Sequence, residues 1–297
     1  MTHEPAPAAT ASNPQPVSLA DIAERKARGI PIVMVTAYDA PSARLADEAG
    51  VEIVLVGDSA GTTVLGYPST VPVSMQEMLV LAGAASRGRS LALLVADMPF
   101  GTFQASDEEA VRNAVRLVKE GGADAVKLEG AGAMLSRVRS IVAAGIPVMG
   151  HIGLTPQSAT LLGGYRAQGR TAARARQLYD DALALQEAGC FAIVLEAIPA
   201  RVAERISRAL TIPTIGIGAG AGCDGQVLVW HDLLGLTRGR TARFVRRYAD
   251  VASDIARGLA GYVADVRGRA YPGDEHTYGI PEEEFAIFDA DIRHGER

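Results

Sequence analysis

The chain of 297 residues has a net charge of −5, with 48% hydrophobic and 21% charged residues. This composition suits a folded core and argues against a disordered chain. The negative net charge supplies no basic field for a nucleic acid or an anionic membrane surface, so we expect neither as a partner. No apolar run approaches the roughly 18–20 residues of a membrane span. One barrel of about 250 residues is the common single-domain solution at this length.

The N-terminus and the cysteines give information about the cellular location of the protein. Residues 1–17 are rich in Ala and Pro and lack the basic start and apolar stretch of a signal peptide, so they are predicted to be a disordered tail. Cys190 and Cys223 form no CxxC pair, and neither has a histidine at zinc spacing. A disulfide framework is therefore not expected, and we predict a cytoplasmic location.

Eight short apolar runs follow the tail. Each is rich in Val, Ile or Leu without polar alternation, which is typical of parallel strands buried on both faces. The predicted strands are Ile32–Thr36, Ile53–Gly57, Leu91–Ala96, Ala125–Leu128, Pro147–Gly150, Ala192–Leu195, Thr214–Ile217 and Val227–Trp230.

Helical stretches with charged faces lie between these strands. The clearest are Pro41–Ala49, Met75–Arg87, Asp107–Glu120, Ala172–Ala188 and Arg201–Ala209. Several end at a glycine, which is favoured just past a helix C-terminus. An amphipathic stretch at Leu19–Arg28 precedes the first strand and could plug the bottom of a barrel.

The alternation of strands and helices predicts an α/β protein with a parallel sheet, and eight strands favour a closed (β/α)8 barrel over an open, doubly wound sheet. We assign residues 18–270 to a single catalytic barrel domain. Within it, residues 241–267 are predicted to form one long helix or two. Residues 271–297 contain Pro, Gly and many acids, and are predicted to form a C-terminal extension along the surface.

Four acidic residues stand at the ends of predicted strands: Asp58, Asp97, Glu129 and Glu196. This end of the strands carries the active site in such barrels. A single acid here often only caps the next helix, but glutamates are poor N-caps, and four acids at one mouth would repel one another without a cation. With no cysteine and few histidines nearby, the set favours a hard ion that prefers oxygen ligands, and Mg²⁺ fits best.

Other residues at the same ends leave two interpretations open. Lys127 lies on the same side of its strand as Glu129, and either pairs with an acid or binds a substrate carboxylate. His151 is either a hydrogen-bonded structural residue or a polar contact to the substrate. The glycine-rich segment 216–222 either brings its backbone close to a ligand or only forms turns, and it does not match the P-loop pattern.

A set of short motifs occurs in one order from about Val17 to Glu275. The motifs are Gly57-Asp58-Ser59-Ala60-Gly61, Asp97-Met98-Pro99-Phe100, Lys127-Leu128-Glu129-Gly130, Gly150–Ser158, Gly163-Gly164-Tyr165 with Gln168-Gly169, Leu195-Glu196, Gly216–Gly220 with Asp224-Gly225-Gln226, and Tyr271-Pro272-Gly273. Each motif is short, but the set is specific. On these residues the chain resembles the ketopantoate hydroxymethyltransferase family.

The resemblance implies a (β/α)8 barrel of the phosphoenolpyruvate/pyruvate type. It implies transfer of the one-carbon unit of 5,10-methylenetetrahydrofolate to 3-methyl-2-oxobutanoate, which gives 2-dehydropantoate for pantothenate and coenzyme A synthesis. It also implies a large homo-oligomer, decameric in bacterial members of the family.

Matched motif by motif, the resemblance implies roles for the residues at the strand ends. Asp58, Asp97 and Glu129 correspond to the Mg²⁺ ligands of the family. Ser59 and Lys127, together with Asp58 and Asp97, correspond to the site for the 2-oxo acid.

Two further residues take implied roles in the reaction. Glu196 corresponds to the proton acceptor, and His151 matches a family histidine near the substrate. The sequence departs from the common family pattern at residues 101–102, at Ala131 and at residues 221–223. None of these positions has an implied role.

Two other functions remain to be weighed. A Mg²⁺-dependent 2-oxo acid lyase or mutase would use the same barrel, but the lyases carry a catalytic cysteine in a Lys-Lys-Cys-Gly-His loop, which this sequence lacks. A need for methylenetetrahydrofolate would distinguish the transferase from this class. A non-enzymatic ligand-binding barrel would be expected to lose a strand-end acid, and all four acids are present.

Overall fold

The structure, a computed structural model, describes residues 15–239 and 241–295. The first 14 residues of the predicted tail lie outside this range. At the end of the predicted tail, the Val17 N–H donates a hydrogen bond to the Leu91 carbonyl (2.7 Å). The described residues divide into two compact units between Tyr248 and Ala249. This division differs from the domain bounds of 18–270 and 271–297 that we assigned from the sequence.

Eight parallel strands close into a barrel in chain order, because the first strand pairs with both the second and the eighth. The strands are β1 (Ile32–Thr36), β2 (Ile53–Val56), β3 (Leu93–Asp97), β4 (Ala125–Glu129), β5 (Val148–Gly153), β6 (Ala192–Glu196), β7 (Thr214–Ile217) and β8 (Gly225–Leu228). The predicted strand number and closed sheet are both confirmed.

Three strands begin at a different residue than the apolar runs predict. One of them, β5, begins one residue later, at Val148. β3 begins later, at Leu93, because the N–H of Leu91 donates to the carboxylate of Asp47 (2.9 Å) and does not join the ladder. β8 begins and ends earlier, since Trp230 already belongs to a helix and its N–H donates to Thr36 Oγ1 (2.9 Å).

Helices follow the strands around the barrel. They are α1 (Leu19–Ala27), α2 (Ala40–Glu48), α3 (Ala60–Thr63), α4 (Met75–Gly88), α5 (Asp107–Lys119), α6 (Leu135–Ala143), α7 (Ala172–Glu187), α8 (Ala200–Ala209) and α9 (Trp230–Leu233). Most of the longer ones begin at a capping side chain; for example, Ser106 Oγ accepts from the Glu109 N–H (3.1 Å) at the start of α5. Such caps satisfy N–H groups that have no partner within the helix.

The second unit contains α10 (Val251–Arg267) and α11 (Glu282–Gly295). The prediction of helix from residue 241 onwards is wrong for residues 241–250, which are irregular apart from a turn at 243–244. There the Tyr248 N–H donates to the Leu233 carbonyl (2.8 Å), a bond that no continuous helix would make. The predicted C-terminal extension contains α11, which the sequence analysis missed; three consecutive glutamates in its first turn favour a helix N-terminus.

Side chains alternate between two hydrophobic layers, as successive residues of a strand must. One layer packs between the sheet and the helices, and the other fills the barrel. The inner layer includes Met34, Ile53, Leu55, Leu93, Val95, Ala125, Met149, Ala192, Val194, Ile215 and Val227. The fully buried Ile22 of α1 belongs to this layer, so α1 closes the lower end of the barrel as predicted.

No helix within residues 15–239 and 241–295 is both long and apolar enough to cross a membrane.

A partly buried ion pair ties α1 to the barrel. Lys26 Nζ donates to Asp224 Oδ2 (2.7 Å) and to the Ser207 carbonyl (2.9 Å), and Asp224 also accepts from the Thr214 N–H (2.8 Å). Lys26→Met should lower the free energy of unfolding by about 2–3 kcal/mol, because Asp224 keeps its charge without its cation.

Chemical denaturation followed by circular dichroism measures this effect. Arg28→Gln is the control, since it breaks only an exposed pair with Glu24 and should change the free energy by less than about 0.5 kcal/mol. Equal effects of the two substitutions would contradict a structural role for the Lys26 pair.

Candidate active site

Because side chains alternate along each strand, polar side chains at the carboxyl ends of the strands point into the upper end of the barrel. Asp97 on β3, Lys127 and Glu129 on β4, His151 on β5 and Glu196 on β6 each lie two or four residues beyond an inner-layer residue of the same strand. They therefore face inward, above the hydrophobic filling. Strand register brings Asp97 beside Lys127 and Glu129 beside His151.

These side chains line a cavity of about 200 Å³ at the barrel mouth. All seven residues with predicted roles lie around it: Asp58, Ser59, Asp97, Lys127, Glu129, His151 and Glu196. Four of the seven are acids and one is a lysine, so a small acidic molecule would meet both charges at once.

Lys127 is the buried cation of this cavity. Its Nζ lies 2.8 Å from Asp97 Oδ1, and both side chains are only 5% exposed. Burial alone would lower the pKa of Lys127, but the carboxylates of Asp97, Glu129 and Asp58 outweigh it and raise the pKa above its usual value. The lysine therefore stays charged. The pairing interpretation of Lys127 holds, and its contacts with Asp97 and His151 leave the third N–H of the ammonium group for a substrate.

Asp58 is the acid of the cavity whose pKa is raised by its buried, acidic surroundings. Burial, followed by the charges of Asp97 and Glu129, raises the pKa of Asp58 to about 8, although Lys127 and a hydrogen bond from Gln157 act in the opposite direction. A carboxylate with this pKa binds a proton or a cation readily near neutral pH.

His151 stands between the acids and the base candidate. Its Nδ1 lies 3.5 Å from Glu129 Oε1 and 3.4 Å from Lys127 Nζ, and its Nε2 lies 3.2 Å from Glu196 Oε2. Burial and the charge of Lys127 lower its pKa, but contacts with Glu129 and Glu196 prevail and raise it to about 9. The imidazole thus connects the two carboxylates across the cavity.

Two buried atoms of the cavity lack a hydrogen-bond partner of good geometry within the described residues: Asp97 Oδ1 and His151 Nε2. Buried polar atoms are seldom left in this state unless a ligand or water completes them. Within the same residues, no group of three or more His, Cys, Asp or Glu side chains is arranged to hold a metal ion by itself.

Comparison of the chain with known proteins identifies its family. A family model described as "Ketopantoate hydroxymethyltransferase" matches residues 16–274. A 3-methyl-2-oxobutanoate hydroxymethyltransferase of Moorella thermoacetica is 56% identical over 262 residues, which cover 88% of this chain and 97% of that protein. The chain belongs to the ketopantoate hydroxymethyltransferase family.

A second relative agrees over nearly the full length. The 3-methyl-2-oxobutanoate hydroxymethyltransferase of Nitratidesulfovibrio vulgaris (strain DP4) is 52% identical over 291 residues, covering 97% of this chain and 94% of that protein. Membership in a family of transferases confirms the prediction of an enzyme and argues against the non-enzymatic barrel.

A solved structure supports the predicted barrel type. A phosphonopyruvate hydrolase in complex with oxalate and Mg²⁺ superposes with a TM-score of 0.54 over 94% of this chain and 97% of that one. At 15% sequence identity this likeness shows the fold alone, a (β/α)8 barrel.

Gln157 has no predicted role, but it holds two acids of the cavity in position. Its Nε2 donates to Asp58 Oδ2 (2.8 Å) and to the Met98 carbonyl (3.0 Å), while its backbone N–H donates to Glu129 Oε2 (3.0 Å). Gln157 therefore positions two of the acids. Its place in the motif after β5 was the available signal, but spacing alone could not show where the amide points.

Tyr38 is a second residue without a predicted role. Its hydroxyl lies 2.9 Å from Ser59 Oγ, and burial raises the pKa of Tyr38 to about 12, so the phenol remains neutral. This contact fixes Ser59 at the cavity wall. Asp39, another strand-end acid, only caps α2, where its carboxylate accepts from the Ser42 N–H (2.7 Å).

Gly153 holds the backbone of Glu196 in place. It adopts a left-handed conformation (φ +99°), and a Cβ there would lie 2.2 Å from the Glu196 carbonyl oxygen and 2.8 Å from Ile198 Cγ1. Gly153→Ala should therefore displace Glu196 and greatly reduce activity. It should also lower the free energy of unfolding by at least about 3 kcal/mol through strain and overlap.

Gly145→Ala is a matched control. Gly145 is also left-handed (φ +85°), but a Cβ there would meet nothing within 4 Å, so only strain of about 1–2 kcal/mol is expected. Denaturation curves and steady-state assays compare the two variants. If they lose equal stability and both keep activity, Gly153 does not position Glu196.

Proposed function

We propose that the chain transfers the one-carbon unit of 5,10-methylenetetrahydrofolate to 3-methyl-2-oxobutanoate, giving 2-dehydropantoate for pantothenate synthesis. The observation that carries the proposal is the division of the cavity into two parts. Lys127 and the acids Asp58, Asp97 and Glu129 form a buried charged floor, and Glu196 stands apart from them across His151. A small 2-oxo acid needs a charged floor for its oxygens and a separate base for its C3 proton.

The donor set fits Mg²⁺. Hard carboxylate oxygens surround the floor, and the raised pKa of Asp58 reports excess negative charge that a divalent cation would neutralise. Asp97 Oδ1 is ion-paired with Lys127 but makes no hydrogen bond of good geometry, so it could also serve as a metal ligand. Mg²⁺ commonly uses only one or two protein carboxylates plus substrate oxygens and water, so a complete protein cage is not required. Asp58 and Asp97 would hold the ion directly, and Glu129 directly or through water.

When bound, Mg²⁺ would supply Lewis-acid polarisation of the 2-oxo group. The residues of the chain do the rest. Lys127 binds the substrate carboxylate with an N–H that Asp97 leaves free, and Ser59, held by Tyr38, donates to a substrate oxygen. Because this floor is buried, water is excluded around the bound acid.

Glu196 acts as the general base. Its side chain is 16% exposed, more than the other acids of the cavity, and its Oε2 lies near His151 Nε2, which orients it. Glu196 takes the C3 proton. Water releases the methylene carbon from the folate as formaldehyde, which breaks both C–N bonds and leaves the two protons of the water on the nitrogens of tetrahydrofolate. C3 then forms a bond to this carbon, and its oxygen takes the proton from Glu196 to give the hydroxymethyl group. We further propose that the enzyme acts in the cytoplasm as a large homo-oligomer, decameric if it follows the bacterial family pattern; its cysteines Cys190 and Cys223 are both free.

Glu196→Gln should reduce exchange of the C3 proton of 3-methyl-2-oxobutanoate with solvent deuterium by at least about 10²-fold, since an amide cannot accept the proton. Nuclear magnetic resonance measures the exchange, and calorimetry checks that the 2-oxo acid still binds. Glu187→Gln, on the exposed end of α7, is the control and should exchange normally. Deuterium uptake at the wild-type rate in Glu196→Gln would assign the base elsewhere.

Asp97→Asn should weaken Mg²⁺ and the 2-oxo acid together by about 10–100-fold, because it removes a ligand charge and the partner of Lys127. Titration calorimetry with Mg²⁺, in the presence and absence of 3-methyl-2-oxobutanoate, measures both affinities. The exposed Asp180→Asn on α7 serves as control. Unchanged Mg²⁺ affinity in Asp97→Asn would remove this residue from the metal site.

A further inference from the structure

Thr70 lines the cavity at the barrel mouth but has no part in the proposed mechanism. It lies in the segment between α3 and α4, and it faces the same cavity as Ser59 and Lys127. The residue is 5% exposed, and its Oγ1 has no hydrogen-bond partner in the described part of the chain. Thr70 Oγ1 is thus a third unpartnered atom of the cavity, in addition to Asp97 Oδ1 and His151 Nε2.

The segment around Thr70 packs closely on α3, so the unpaired hydroxyl is not a result of loose packing. The Tyr67 N–H donates to the Gly61 carbonyl (2.8 Å). Three residues after Thr70, the Val73 N–H donates to the Thr70 carbonyl (3.1 Å). A Cβ on Gly61 would lie 2.6 Å from Val73 Cγ2 and 3.2 Å from the Ser69 carbonyl oxygen. The backbone of Thr70 is therefore held in place, and its side chain has a fixed position at the cavity wall.

The hydroxyl of Thr70 does not help the empty enzyme to fold. A buried hydroxyl without a partner lowers the free energy of unfolding, because it loses its hydrogen bonds to water and gains none in the protein. Valine has nearly the same shape as threonine and would fill this position without the polar atom. A buried polar group in this state is explained where a bound ligand supplies the missing partner.

The position of Thr70 indicates which group of a ligand it meets. A Cβ on Gly61, two residues after Ser59, would lie 3.6 Å from the Thr70 Cα, so Thr70 and Ser59 stand on one side of the cavity. Thr70, Ser59 and Lys127 can all donate hydrogen bonds into the cavity. A ligand carboxylate suits several such donors, since its two oxygens offer about four lone-pair sites.

We propose that Thr70 Oγ1 donates a hydrogen bond to the carboxylate of the bound 2-oxo acid, to which Lys127 also donates. This inference rests on the proposed function and adds a binding residue to it. The hydroxyl contributes to substrate binding and not to proton removal, because the carboxylate keeps its charge when Glu196 takes the C3 proton. Thr70 therefore strengthens the complex with the substrate while it weakens the empty enzyme.

Two substitutions separate the hydroxyl of Thr70 from its shape. Thr70→Val removes the hydroxyl and keeps the branched shape, whereas Thr70→Ser keeps the hydroxyl. Calorimetry measures the affinity of each variant, saturated with Mg²⁺, for 3-methyl-2-oxobutanoate. Thr70→Val should weaken binding about tenfold, because a hydrogen bond to a charged group is lost, and Thr70→Ser should bind within about threefold of the wild type. The rate of C3 proton exchange at saturating acid should change by less than about threefold in Thr70→Val.

Thermal unfolding without Mg²⁺ and without the acid is the second measurement. Thr70→Val should unfold at the wild-type temperature or slightly above it, because the hydroxyl that it loses has no partner. Thr214→Val at the start of β7 is the matched control. Thr214 is also fully buried, but its Oγ1 bonds to Ser207 Oγ (2.7 Å) and to Asp224 Oδ2 (2.9 Å). Thr214→Val should therefore unfold at a lower temperature and bind the acid with wild-type affinity.

A second ligand tests which oxygen accepts the hydrogen bond. The hydroxy acid 2-hydroxy-3-methylbutanoate keeps the carboxylate and replaces the 2-oxo group with a hydroxyl. Thr70→Val should weaken both acids by the same factor, because both present the carboxylate. A loss confined to the 2-oxo acid would place the hydroxyl at the 2-oxo oxygen and overturn the assignment to the carboxylate.

The outcomes distinguish failure of this inference from failure of the proposed function. Wild-type affinity for 3-methyl-2-oxobutanoate in Thr70→Val overturns the inference, as does an unfolding temperature lowered as far as in Thr214→Val. Weaker Mg²⁺ binding by Thr70→Val in the absence of acid would place the hydroxyl at the hydrated ion, which also overturns it. In these cases the proposed function stands, because the wild type still binds the acid. A wild type that does not bind the 2-oxo acid in the presence of Mg²⁺ overturns the proposed function and the inference together.

Discussion

Repulsion between buried carboxylates is the constraint on which the upper end of the barrel depends. Asp58, Asp97 and Glu129 are each at most 6% exposed, and Lys127 is the lysine that compensates them. Lys127 and His151, whose pKa is raised to about 9, cannot together neutralise these three acids and Glu196 in a poorly solvated cavity. Burial, followed by the charges of Asp97 and Glu129, therefore raises the pKa of Asp58 to about 8. The acids therefore carry excess negative charge, which a bound divalent ion would relieve.

The strand alternation explains why the sequence predicted so much of this site. In a barrel filled by alternate residues, a polar group two positions beyond an inner hydrophobic one must face the interior. Asp97 after Val95, Glu196 after Val194 and His151 after Met149 follow this rule. The eight apolar runs likewise predicted the eight strands, because burial on both faces removes polar alternation.

The features that the sequence did not predict depend on contacts between distant segments, which local sequence patterns do not encode. Gln157 bonds to Asp58, 99 positions away, through an amide whose direction only the folded loop determines. Residues 241–250 have helical composition, but the hydrogen bond from the Tyr248 N–H to Leu233 bends the chain, and Phe244 then packs on Gly218. Tertiary contacts override propensity in both cases.

The position of Glu196 meets two opposing requirements of the proposed general base. A base inside the acidic floor would bind the metal ion or be neutralised by Lys127, and would then be unable to accept a proton. One in open solvent would be hydrated and poorly oriented. Glu196 avoids both, because His151 separates it from the three buried acids and Gly153 fixes its backbone. Its side chain is 16% exposed, so the proposed proton removal would take place at the open side of the cavity, where a second reactant can reach the substrate carbon.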